Sequence, residues 1–371
     1  MSGMQGPRIF LHELPWDYRS RNTDWRYVRY ALPRLEEFEP DLKLTGEMSR
    51  RVALVGNLKA LRMAVGWRLG LPLGIYAQST SYLAQDELKR SGSNVIFTRS
   101  FPLNADQVPV VWEGGIVDPE MQRSYGVTET ALAEELEARG RIFHKAAAVQ
   151  LFSDVEVRRH AETFPDIASR FVAVPWFAPH IQACDRAALE KHRTAVAIRI
   201  LFVGNNAARK GLDQLFDAFL QLPASVRNRS VLTVISNFDR SRIHIPKCDQ
   251  ITVIHGAPPQ EVMAQMKQAH IFVNVARFES YGVVFHEAMS QGAACLAPSW
   301  EVQRELFDCG RAGLNLPCDT VAIRNALEKL IEDEGYRFSI ALAGWTRFQE
   351  KYAPSVVAAR YAALFRSLVN L

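Results

Sequence analysis

The sequence predicts an α/β protein built from two successive regions of strand–helix alternation. Three observations lead there. Short apolar runs such as Asn94–Thr98, Val149–Phe152 and Ile251–Ile254 end at turn residues and are followed by stretches with helical spacing. A fresh alternation starts at Arg199. The 371 residues are enough for two domains.

Composition narrows the classes. Hydrophobic residues make up 48% and charged residues 23%, as in ordinary globular proteins. A net charge of +4 does not argue for a nucleic-acid partner. The five cysteines are scattered, with no close pair suited to a metal. With a polar start before Ile9, they predict a cytoplasmic protein without a secretory leader. No apolar run approaches the length of a membrane span.

Arg8–Leu11 reads as the first strand, and His12 follows at its C-terminal end, where open α/β sheets place ligands. His12 is therefore a ligand-site candidate, with an ordinary hydrogen-bonded residue as the alternative. Residues Asp17–Asp24 read as a polar, Arg-rich loop, a candidate lid. Arg50–Leu69 is basic and amphipathic; it reads as a helix on the sheet, with peripheral membrane contact left open. Leu71–Ala77 reads as a further strand, and Pro109–Trp112 as another. Glu113 stands directly after the latter, before Gly114 and Gly115, as the second ligand-site candidate. A helix is expected over Thr130–Ala148 and a strand over Phe171–Val174.

Two stretches carry chemistry. The strand Arg199–Val203 runs into Gly204-Asn205-Asn206-Ala207-Ala208-Arg209-Lys210-Gly211 and then a helix with Leu212, Leu215, Phe216 and Phe219 on one face. Arg209 and Lys210 thus stand at a strand-to-helix turn, where a diphosphate finds cations and free N–H groups. The second stretch follows an apolar run over Ile271–Ala276, read as a buried strand. It is Arg277-Phe278-Glu279-Ser280-Tyr281-Gly282-Val283-Val284-Phe285-His286-Glu287. Glu279 lies on the turn and Glu287 in the helix, and Gly282 sits where the helix begins, so an anion can approach its first N–H groups.

Together these stretches resemble the retaining glycosyltransferases of the GT-B fold, family-4 type, with their Glu-x7-Glu motif. The resemblance is strong over Arg199–Gly313 and only organisational before that. It implies two Rossmann-like domains facing across a cleft, residues 1–185 for the acceptor and 186–353 for the nucleotide-sugar. Residues 354–371 would form a terminal helix crossing back to the first domain. The linker would be Trp176–Asp185, where His180 reads as solvated. By the same resemblance Glu279, Lys210 and Arg209 are the catalytic candidates, and His12 and Glu113 the acceptor-site candidates, with Asp17–Asp24 as the acceptor lid. Gly204, Asn205, Ser280, Tyr281, Gly282, Val283, Val284 and Glu287 would bind the donor, Glu287 through its ribose. No metal site and no cofactor is implied. The partners would be a nucleotide-sugar, UDP- or GDP-linked, and a carbohydrate, lipid-linked or small-molecule acceptor.

The chain also departs from that pattern. Asn205 stands where Arg is usual, with Arg209 positioned to supply the cation, as in enzymes resembling lipopolysaccharide-core glycosyltransferases. The Gly-rich acceptor loop after the first strand is absent, and no His follows a strand to face the donor sugar. Trp300-Glu301-Val302 stands where relatives carry a Gly pair. These departures keep a catalytically inactive GT-B binding protein open as the alternative. A nicotinamide-dependent oxidoreductase is disfavoured, since the chain has no Gly-x-Gly-x-x-Gly.

Overall fold

The computed structural model describes residues 6–12, 31–45, 88–98, 108–114, 128–191, 195, 197–237 and 243–369. The expected lid at Asp17–Asp24, the basic segment Arg50–Leu69 and the strand Leu71–Ala77 lie outside these residues. The chain divides into two compact units, Met1–Pro179 with Pro354–Leu371, and His180–Ala353.

The first unit holds a parallel six-stranded sheet: β1 (Arg8–His12), β2 (Lys43–Thr45), β3 (Val95–Thr98), β4 (Val110–Glu113), β5 (Ala148–Leu151) and β6 (Phe171–Ala173), in the order β2-β1-β3-β4-β5-β6. β3, β4 and β5 are buried along their whole length, as a parallel sheet covered on both faces requires. The helix Pro354–Val369 starts on a proline, whose fixed φ suits the first helical position. Its buried stripe Val357, Tyr361, Leu364, Phe365 and Leu368 packs in one core with Ile9, Val95 and Phe97. Phe97 meets Tyr361 and Phe365 edge-on, at ring separations of 6.1 and 6.2 Å. Arg366 then ties the helix to Asp41 and Glu39.

The second unit repeats the plan with β7 (Ile198–Val203), β8 (Ser230–Ile235), β9 (Ile251–Ile254), β10 (Ile271–Val273), β11 (Ala294–Pro298) and β12 (Leu314–Leu316). All pairings are parallel and the order is β12-β11-β10-β7-β8-β9. This is the doubly wound Rossmann order, whose switch point lies between β7 and β10. The stripe Leu212, Leu215, Phe216 and Phe219 is buried against Ile323, Leu327, Leu330 and Ile331 of the helix Thr320–Glu332. That helix is capped by Asp319, whose Oδ1 accepts from the Ala322 N–H at 2.9 Å.

Two local expectations change. The strand expected over Ile271–Ala276 stops at Val273. Asn274 turns its amide to the Val203 carbonyl, and Val275 and Ala276 are buried outside the ladder. The helix expected over Thr130–Ala148 ends at Phe143, because Ala148 belongs to β5. The two compact units meet at Pro179/His180. Residues 182–184 are bonded to the second unit: Gln291 Nε2 donates to the Gln182 carbonyl at 2.6 Å, and the Cys184 N–H to the Ser290 carbonyl at 2.9 Å. Among the described residues, no helix is long and apolar enough to cross a membrane.

Candidate active site

The switch point brings the two chemistry-bearing loops side by side, one leaving β7 and one leaving β10. The first is shaped by Gly211, at φ +74°, in the left-handed region open to glycine. A Cβ there would lie 2.6 Å from the Val275 carbonyl oxygen, so only a bare backbone lets this loop touch the segment after β10. Ser236, at the end of β8, donates to the Gly204 carbonyl and fixes the other end of the loop. The second loop ends at Gly282, at φ +85°, where a Cβ would meet the Phe285 ring at 2.7 Å. The helix Val283–Ser290 starts there, with its first N–H groups facing back along the loop.

Several bonds stitch the loops together. The Arg277 N–H donates to the Arg209 carbonyl at 2.8 Å. The Arg277 guanidinium donates to the Ala208 carbonyl and, as a fork, to both Asp213 oxygens at 2.9 and 2.6 Å. Burial alone would raise the Asp213 carboxyl; the bonds and charge of Arg277 hold it below its ordinary value. Arg209 Nη1 donates to the Phe278 carbonyl at 2.5 Å. Neither Arg277 nor Asp213 has a sequence signal for this role, since they stand 64 positions apart. Arg277→Ala is expected to cost about 1 kcal/mol of stability in urea denaturation, the scale of a half-exposed pair with added bonds. Arg277→Lys should recover little of it, because an ammonium cannot form two parallel bonds. A lysine variant as stable as the parent would show that the fork does not hold the turn.

At the centre, Lys210 Nζ is paired directly with Glu279 Oε2. Their side chains are 12% and 7% exposed, so neither is the solvated surface group that a polar loop suggests. Burial, and after it the neighbouring Arg209 charge, pull the Lys210 ammonium down to about 7. Asn205 is exposed on the loop, while Tyr281 is buried and its carbonyl accepts from Gln303 Nε2 at 3.1 Å. Ser280, Val283 and Val284 are half-buried around the helix start. His286, beside Glu287, is core: its ring stacks on Tyr352 at 4.4 Å, and burial lowers it to about 3, so it is neutral near pH 7.

Glu287 is half-buried, and its Oε1 lies 3.3 Å from His180 Nε2. His180, expected to be merely solvated, therefore touches a site residue. On the first unit, His12 closes β1 in register with Thr98. Glu113 closes β4 opposite Gln150 and is buried, not on a solvent-facing loop. The structure thus brings Arg209, Lys210 and Glu279 together and sets Glu287 against His180. No metal-holding group of His, Cys, Asp or Glu occurs among the described residues.

Comparisons with known proteins bear on the fold. Residues 197–333 match the family model described as glycosyl transferases group 1. An alpha-D-kanosaminyltransferase of Streptomyces kanamyceticus is 24% identical over 238 residues, covering 60% of this chain and 61% of that protein. The match therefore spans about three fifths of that relative's length. Among solved structures, sucrose-phosphate synthase from Thermosynechococcus elongatus aligns with a TM-score of 0.66 at 15% identity, covering 98% of this chain and 99% of that one. Anabaena HepE in complex with UDP and glucose aligns at 0.61 and 15% identity, covering 98% and 100%. WaaG, a glycosyltransferase involved in lipopolysaccharide biosynthesis, aligns at 0.59 and 15%, covering 88% and 87%. The chain has the GT-B fold of two Rossmann-like units, and the match to the glycosyl transferases group 1 falls on the second of them.

Proposed function

We propose that this protein transfers a hexose-type sugar from a UDP- or GDP-linked donor to a carbohydrate, lipid-linked or small-molecule acceptor, with retention at the anomeric carbon. The observation that carries the reading is the buried Lys210–Glu279 pair at the β7/β10 switch point, within the segment that matches the family. A donor diphosphate entering beside the pair would draw the ammonium from Glu279. The anomeric C–O bond then breaks, its electron pair going to the β-phosphate oxygen, while an acceptor hydroxyl bonds to the anomeric carbon from the same face and gives its proton to the departing phosphate. Lys210, Arg209 and the first N–H groups of the Val283–Ser290 helix stabilise that growing charge. Glu279, released from Lys210, accepts from the sugar hydroxyls or balances positive charge at the anomeric carbon. Glu287 fixes the ribose and with it the donor's position. No protein nucleophile is assigned.

Screening UDP- and GDP-sugars by thermal shift, then by hydrolysis and transfer, tests the reading. A ligand at 100 times its dissociation constant stabilises by about 2.7 kcal/mol. No shift and no turnover with any nucleotide-sugar would overturn it. Binding without hydrolysis would favour the second reading, an inactive GT-B binding protein, for which the exposed Asn205 at the usual Arg position speaks. Turnover is expected to survive EDTA. The sequence has no Asp-x-Asp, and the cationic pair with the helix start takes the charge-neutralising role of a metal. Complete loss in EDTA, restored by manganese, would reverse that expectation.

A further inference from the structure

We infer that His180 is a positioning residue of the donor site, holding the Glu287 carboxylate for the vicinal hydroxyls of a nucleoside diphosphate's ribose; this rests on the nucleotide-sugar reading above. An exposed imidazole–carboxylate contact is ordinarily a weak one, because both side chains lose freedom to make it. Here the imidazole is delivered by a pinned backbone. His180 opens the second unit, and Ile181 beside it is buried. Gln291 Nε2 holds the Gln182 carbonyl at 2.6 Å, the Cys184 N–H reaches the Ser290 carbonyl at 2.9 Å, and Trp345 Nε1 donates to the Cys184 carbonyl at 3.0 Å.

The same contacts lead back to Glu287. Ser290 Oγ donates to the Glu287 carbonyl at 2.7 Å and accepts from Gln291 Nε2 at 2.9 Å. The helix turn carrying Glu287 and the segment carrying His180 are therefore one bonded unit. His180 Nε2 meets Oε1 at 3.3 Å. An N–H donated there restricts the carboxylate's rotation and leaves Oε2 for a diol, which offers two adjacent O–H donors. A carboxylate held in advance loses less freedom when the ribose arrives.

The test is calorimetry with UDP and GDP as probes on the full chain. His180→Ala should weaken binding about three- to tenfold, the range of one net hydrogen bond. His180→Gln, whose amide also donates, should stay within about twofold of the parent. In a Glu287→Ala background His180→Ala should add nothing, since the two act through one contact. With 2′,3′-dideoxyuridine diphosphate the alanine penalty should disappear. Equal or tighter binding of UDP and GDP by His180→Ala, a glutamine variant as weak as alanine, an additive double variant, or the same penalty with the dideoxy probe would each overturn the inference. If the parent binds neither nucleotide, the nucleotide-sugar reading fails and the inference with it. If the parent binds and His180→Ala binds equally, only the role of His180 fails.

Discussion

Lys210→Ala should lower turnover at saturating donor by a barrier of about 2.7–4 kcal/mol, the cost of removing one donor from an oxyanion-type site. The effect should fall on turnover more than on donor affinity, since the ammonium is needed most when the departing diphosphate gains charge. The structure adds a second consequence. Lys210 is buried against Glu279, so alanine leaves a carboxylate without its cation, and breaking a buried pair costs about 3–5 kcal/mol. Stability and rate must therefore be separated. Lys210→Ala with Glu279→Gln should regain much of the stability and none of the rate. A proton signature accompanies this. Burial and the Arg209 charge lower the Lys210 ammonium to about 7 against the pull of Glu279, so the free protein sheds this proton more readily than an ordinary lysine would. An arriving diphosphate favours the ammonium, so donor binding at pH 8 should take up a proton. Calorimetry in buffers of different ionisation enthalpy reads that uptake, and Lys210→Ala should abolish it. Near-normal turnover in a folded Lys210→Ala protein would remove the main catalytic support for the transferase reading.

Glu287→Ala should weaken free UDP or GDP by about 1.5–3 kcal/mol, the range for hydrogen bonds to a charged group. Nucleotide-sugar should lose as much as free nucleotide, because the contact is with the ribose and not with the sugar. Folding should be little affected, since Glu287 is half-buried and its carboxylate meets the exposed His180. Unchanged affinity for both nucleotides in a folded variant would take Glu287 out of the site.

The two strand-to-helix turns were legible because their signals are local. Gly211 and Gly282 stand where strand gives way to helix, and the structure gives both a left-handed backbone. The apolar stripe of the terminal helix was visible at helical spacing, and it is buried against β1 and β3. The illegible parts have physical reasons. β2 and β12 are three-residue strands at sheet edges, too short to show a period. The run Ile271–Ala276 is apolar throughout, and only the Asn274 bond to Val203 shows where the ladder ends. Arg277 and Asp213 look like solvated surface charges, and their fork exists only once two distant loops meet.

The sequence by itself determined which groups the site would have: two loops at strand ends, a cationic pair before a glycine, and two glutamates flanking a helix start. Residue type, glycine placement and hydrophobic period are local properties, and a single chain displays them. Only the tertiary structure decided that β10 pairs with β7, because strand order is a choice among long-range ladders with similar local cost. That choice buries Lys210 on Glu279, 69 positions away. It also decided that His180 leans on Glu287, 107 positions away, through backbone bonds that no spacing or composition announces.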